Sequence, residues 1–111
     1  MIVIDKEAVP EYIVEHIKEN LKDANIIDED EYFDEKHIAI DDWVAGSTGE
    51  AKELVDDFGV LKAIRLYKEN YGEFILDDYE DDDKIYMTLA YNIISDWFNE
   101  YYSYEELKTF V

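Results

Sequence analysis

The amino-acid sequence predicts a mainly α fold: a compact bundle of about five helices with acidic loops and room for one short extended segment. Three observations carry that expectation. Apolar residues recur at three- and four-residue spacing along most of the chain. The glycines fall where those periodic stretches should end, and the single proline falls where the first should begin. Hydrophobic residues make up 48% of the 111 positions and aromatics 15%, which is enough for a core and sets the chain apart from a disordered acidic tail. A chain of this length is expected to form one domain, residues 1–111.

The first long helix is expected over residues 10–22. Pro10 suits a first-turn position, and Ile13, Ile17 and Leu21 recur every four residues with Tyr12 and Val14 beside them. A polar connection follows from Asp23 to Glu31. The second helix runs from Glu31 to Ala45, with Phe33, His37, Ile40 and Val44 on one face and Gly46 as its stop. Residues 37–40 also alternate in polarity, so a short strand is the competing expectation there. Ser47 and Glu50 have the spacing of a capping box and open a third helix, with Ala51, Leu54, Val55 and Phe58 inward and Gly59 as stop. Residues 60–71 form a fourth, placing Val60, Ile64, Tyr67 and Tyr71 together before Gly72. Phe74 to Leu76 is the candidate extended piece, and Asp77 to Asp83 an acidic loop. The last long helix runs from about Asp83 to Tyr102, with Tyr86, Leu89, Ala90, Ile93, Trp97 and Tyr101 along its buried stripe. Ser103 and Glu106 repeat the capping-box spacing and start a short final helix, Tyr104 to Phe110.

Charge is the dominant compositional signal. Thirty Asp and Glu face ten Lys and Arg, a formal net charge of -20. Nucleic acid and anionic membranes are excluded as direct partners by like charge, and a basic protein surface is the natural counterpart. A compact domain of this length has a radius of gyration of about 13 Å, hence a diameter of roughly 34 Å. Twenty net charges along that diameter match the one per about 1.7 Å of axis in duplex DNA, but a single face presents about half of that density, a gap that a dimer or an uneven distribution would close. There is no cysteine, so disulfides and thiolate metal sites are excluded. Apolar runs fall far short of the roughly 20 residues that span a bilayer. Met1 to Asp5 lacks the basic start of a signal peptide. A cytoplasmic protein is expected.

The acids are segregated. Glu7, Glu11, Glu15, Glu19 and Asp23 recur every four residues, about 6 Å per step on a helix. Like charges at that spacing are mildly unfavourable, so stability alone does not select the row; the plain alternative is a solvated face relieved by Glu15–Lys18 and Glu19–Lys22 pairs. A second cluster comprises Asp28, Glu29, Asp30, Glu31, Asp34, Glu35, Asp41 and Asp42, with Lys36 as its one base. A third comprises Glu73, Asp77, Asp78, Glu80, Asp81, Asp82 and Asp83, with no base before Lys84. Between them, residues 50–70 are nearly balanced. These twenty acids are the candidate partner-binding residues.

Catalytic chemistry finds no foothold. No glycine-rich phosphate loop, nucleophile elbow or zinc spacing occurs, so no catalytic residue, cofactor or metal site is assigned and the chain is read as non-enzymatic. His37 and Asp41 lie one helical turn apart and most simply share a local hydrogen bond. The run from Asp77 to Asp83 invites a calcium reading, but it lacks the alternating ligands and central glycine of an EF-hand loop. Trp97, Tyr86 and Tyr101 read as core. Trp43 and Tyr104, which lie next to acids, read as candidate interface anchors.

At this point the chain resembles the phage antirestriction proteins that mimic DNA, the Ocr-like family above all and the ArdA-like family more distantly. The likeness lies in size, extreme acidity and helical content, in His37, Ala39, Asp41 and Val44 as a His-x-Ala-x-Asp-x-x-Val pattern, and in the late segment holding Ala90, Tyr91, Asp96 and Trp97. The chain departs from that family in ending on Lys108, Thr109, Phe110 and Val111 instead of an acidic tail, and in the segment from Gly46 to Gly59. The resemblance implies a homodimer without catalytic residues whose carboxylates occupy the DNA-binding groove of a type I restriction-modification enzyme. Two other readings stand beside it. One is an acidic module neutralising a single basic partner, such as a toxin or an anti-CRISPR target. The other is a small calcium-binding protein.

Overall fold

A computed structural model describes residues 2–110. These residues form six α-helices: α1 (Glu11–Asp23), α2 (Glu29–Gly46), α3 (Thr48–Phe58), α4 (Val60–Tyr71), α5 (Asp82–Tyr101) and α6 (Tyr104–Phe110). Two single 3-10 turns, Lys6–Ala8 and Leu76–Asp78, complete the secondary structure, and no strand occurs among the described residues. The mainly α expectation is met, with six helices in place of about five. Residues 37–40 lie inside α2, and the short strand considered there does not form. Ile75 is extended in its backbone angles but leads straight into a 3-10 turn.

Most helix limits follow from local chemistry. Pro10 holds an extended conformation and precedes the first helical residue instead of occupying the first turn. Asn25 ends α1 in the left-handed region at φ 54°, which Asn tolerates better than most residues. Gly59 and Gly72 stop α3 and α4 at φ 104° and 90°, and their N–H groups close on Val55 O and Lys68 O; a side chain at either would be strained. Helix α2 starts two residues earlier than its periodicity indicates, because Asp28 caps it by accepting from Glu31 N–H at 2.8 Å. Asp81 caps α5 in the same way, accepting from Lys84 N–H at 2.9 Å. Each such cap contributes about 1 kcal/mol. The expected box at Ser47 does not form: Ser47 precedes α3 but its side chain makes no capping hydrogen bond.

Helix α5 is the centre of the bundle, packed by α2, α3 and α4, while α1 packs on α2. Leu89, Ala90, Ile93, Ile94 and Phe98 on α5 are completely buried. Neighbours supply Ile17, Ile40, Ala51, Val55 and Ala63, also without exposure. The segment before α1 is strapped onto α5. Trp97 Nε1 donates to Lys6 O at 2.8 Å and the Tyr101 hydroxyl to Ile4 O at 2.5 Å.

Two predicted faces need correction. On α2 the buried residues are Tyr32, Lys36, Ala39, Ile40, Trp43 and Val44, while Phe33 and His37 point out. On α4 the core positions are Ala63 and Leu66; Val60, Ile64 and Tyr67 are half-buried and Tyr71 is exposed. Both helices are turned by about one residue from the expected orientation. The cause on α2 is visible at Lys36. Its stem fills core space, its Nζ donates to Asn99 Oδ1 at 2.5 Å, and it lies 4.8 Å from the Phe33 ring centroid and 5.3 Å from that of Tyr32. The Tyr32 hydroxyl meanwhile donates to Tyr102 O. A lysine whose charge is met by ring faces and a side-chain carbonyl can be interior.

Candidate functional site

The acidic surface is built on the elements just described. Glu11, Glu15, Glu19 and Asp23 are all exposed along α1. Glu7 does not continue that row: it lies in the separate 3-10 turn, and Pro10 breaks the helical register between it and Glu11. The predicted stripe of five is therefore a helical stripe of four, about 18 Å long at 1.5 Å per residue, with Glu7 exposed nearby in sequence.

The second cluster divides by role. Asp28 caps α2, and Glu29, Asp30 and Glu31 occupy its first turn, where carboxylates are favoured by the helix dipole. Asp30, Asp34 and Asp41 fall within about 60° of one another around α2 and are exposed, as is Asp42. Glu31 and Glu35 are half-buried. The third cluster repeats this division. Asp77 and Asp78 belong to the 3-10 turn, Asp81 caps α5, and Asp82 and Asp83 occupy its first turn. Glu73, Asp77, Asp78, Glu80, Asp81, Asp82 and Asp83 are all exposed. Part of the acidity thus serves helix starts, a role the long acidic runs conceal in the sequence.

Ion pairing leaves most of this charge uncompensated. Lys18 approaches Glu15 at 3.9 Å and Lys108 approaches Glu105 at 3.7 Å, each within one helix. Among the described residues, no acid of the second or third cluster is within ion-pair distance of a lysine or arginine. Several lysines also lie against aromatic rings. Lys18 lies 4.4 Å from the Tyr102 centroid, Lys52 5.2 Å from Tyr86, Lys62 4.5 Å from Phe58 and Lys108 5.5 Å from Tyr104. Lys36 is held this way too. This gives the aromatic content a role beyond core filling: Lys36, Lys52 and Lys62 lie against rings with no carboxylate in ion-pair range among the described residues, whereas Lys18 and Lys108 contact a ring and a carboxylate at once.

The two expected interface anchors are not available. Trp43 is 7% exposed in the core, and Tyr104 is half-buried with its hydroxyl donating to Ile27 O at 3.0 Å. The exposed apolar side chains on the acidic face of α2 are Phe33 and Ile38, each about half exposed (49% and 50%). His37, placed with Asp41 by sequence, instead hydrogen-bonds through Nδ1 with the Tyr91 hydroxyl of α5. Among the described residues no three His, Asp or Glu side chains are grouped so as to hold a metal ion, and no helix is long and apolar enough to cross a membrane.

Comparison with protein-family models, with curated proteins and with solved structures returns no match to this chain.

One acid differs from the rest. Asp96 of α5 is half-buried, accepts from Asn70 Nδ2 at 2.8 Å, and has its pKa raised, chiefly by burial and further by Glu69, against the lowering effects of Asn70 and Lys36. A carboxyl whose folded pKa exceeds its unfolded value contributes stability that is full below the unfolded pKa and is lost as pH rises through the folded one. In its ionised form Asp96 therefore opposes folding. Asp96→Asn is expected to raise the melting temperature at pH 7 and to reduce the gain that the wild-type protein shows as pH falls from 7 through the folded Asp96 pKa toward the unfolded value. Thermal melts of both proteins across that range check the sign; a less stable variant at pH 7 would contradict it.

Proposed function

We propose that this protein is a non-catalytic inhibitor that stands in for DNA. Its carboxylates would occupy the groove of a basic nucleic-acid-binding protein, with a type I restriction-modification enzyme as the target that its resemblance implies. The observation that carries this reading is the set of exposed, uncompensated acids on a rigid helical scaffold, together with lysines drawn to aromatic rings. The long axis is 41 Å, so -20 net charges give one per about 2 Å, close to the one per about 1.7 Å of duplex DNA.

Competition is the mechanism. Lys and Arg that normally meet phosphate would meet carboxylate, and the contact would weaken as salt rises. The test is a DNA-shift assay with a type I restriction enzyme, with added protein and increasing competitor DNA. Inhibition should be relieved by competitor DNA and by salt. Inhibition that persists under saturating DNA excludes groove competition.

A second reading has its own observation. Phe33 and Ile38 project from α2 among Asp30, Asp34 and Asp41, which suits an acidic module that docks one specific partner through apolar anchors. Alanine at Ile38, and at Phe33 with folding verified because its ring also holds Lys36, separates the two readings. A DNA mimic that stays folded tolerates both substitutions, whereas a dedicated module loses most of its affinity.

A further inference from the structure

A cleft between α2, α4 and α5 encloses about 310 Å³, at the small end of the roughly 300–1,000 Å³ typical of ligand sites. Two pairs of rings line it. On α4, Tyr67 and Tyr71 lie 4.7 Å apart at a tilt of 41°. From α2 and α5, His37 and Tyr91 meet edge to face at 5.2 Å and are hydrogen-bonded. Asp41 contributes a carboxylate and Lys84 an opposing ammonium.

We propose, resting on the inhibitor reading above, that this cleft is a socket for one arginine side chain of the basic partner. Its guanidinium would lie against the tyrosine faces with Asp41 as counter-charge. The chemistry favours arginine over lysine, because a planar, weakly hydrated guanidinium stacks on aromatic rings while an ammonium holds its water more tightly. The overall field of a chain carrying -20 draws cations toward its surface. Burial raises the pKa of Tyr91, with Tyr71 and Asp41 adding to the effect, so the phenol stays neutral at physiological pH. Two features work against a cation. Lys84 repels it. Asn92, 1% exposed, lines the cleft with Oδ1 held by Asn70 at 3.0 Å and Nδ2 without a partner; Nδ2 is a donor that a guanidinium cannot answer. A nucleoside, with ring acceptors and a stacking face, is the competing ligand.

The test is a two-dimensional NMR titration of the intact protein with arginine amide, with citrulline amide as an uncharged isostere and adenosine as the competitor. Arginine amide should give saturable shifts centred on His37, Tyr71 and Tyr91, with citrulline amide at least tenfold weaker. Tyr71→Ala and Asp41→Asn, both at exposed positions, should each weaken binding about fivefold or more, and Lys84→Ala should tighten it. Shifts spread evenly over the acidic helices, equal binding of citrulline amide, or tighter binding of adenosine would overturn the socket. If arginine amide fails while the protein still competes with DNA, only the socket falls. If competition with DNA fails while arginine amide binds the cleft, the socket stands as an arginine site for another partner and the mimicry reading falls.

Discussion

Replacing Asp30, Asp34, Asp41 and Asp42 together with asparagine should weaken inhibition by up to nearly three orders of magnitude, while each single replacement has a small effect. Exposed charge pairs contribute roughly 0.2–1 kcal/mol each, so four contribute about 1–4 kcal/mol, at tenfold in affinity per 1.4 kcal/mol. Asp28 and Asp81 are left out of the series because each caps a helix, and their loss would confound binding with folding. The substituted positions are exposed and unpaired among the described residues, so near-additive losses are expected apart from neighbour effects at Asp41 and Asp42. The measurement is inhibition of DNA binding against salt concentration. Its log–log slope should flatten step by step as acids are removed. One substitution that accounts for the whole loss would favour a dedicated partner module over a DNA mimic.

The second large effect lies in the core. Phe98→Ala should cost about 3–5 kcal/mol of a total that for domains generally is about 5–15 kcal/mol. Phe98 is fully buried on α5, edge to face with Trp97 at 5.1 Å and with Tyr102 at 5.9 Å. Its removal therefore opens a cavity in the helix against which α2, α3 and α4 pack. Urea unfolding at low and at high salt gives the readout. Self-repulsion of -20 charges makes the starting stability salt-dependent, so added salt should recover part of the loss. Salt thus has opposite signs in the two experiments, stabilising the fold and weakening the contact. A variant whose unfolding midpoint barely moves would show that α5 is not the hub.

Much of the scaffold is legible in the sequence because its signals are local. Gly59 and Gly72 stop helices at positive φ, and the four-residue recurrence of Ile13, Ile17 and Leu21 marks a buried stripe. The orientation of α2 is not legible. Phe33 looks like core and Lys36 like surface, and only the ring faces of Tyr32 and Phe33 with Asn99 from a distant helix reverse that order. The caps at Asp28 and Asp81 are hidden for the opposite reason: in a run of acids, a capping aspartate has nothing to stand out against. At the candidate site, the sequence placed the carboxylates and the shortage of bases in the second and third clusters, but not where the lysines lie. The Glu15–Lys18 pair expected from spacing forms, but nothing local shows that Lys52 and Lys62 turn to the Tyr86 and Phe58 rings. The cleft assembles from three helices, and His37 with Asp41 was its sole trace in local spacing.

The molecule's 41 Å length corresponds to about twelve base-pair steps of 3.4 Å, slightly more than one turn of duplex. A single copy thus has a ruler built into it. A protein that grips one turn of DNA would be filled end to end, whereas one that tracks two turns would keep half its cationic track open. Potency across a panel of DNA-binding proteins should therefore rank by footprint length before it ranks by sequence preference.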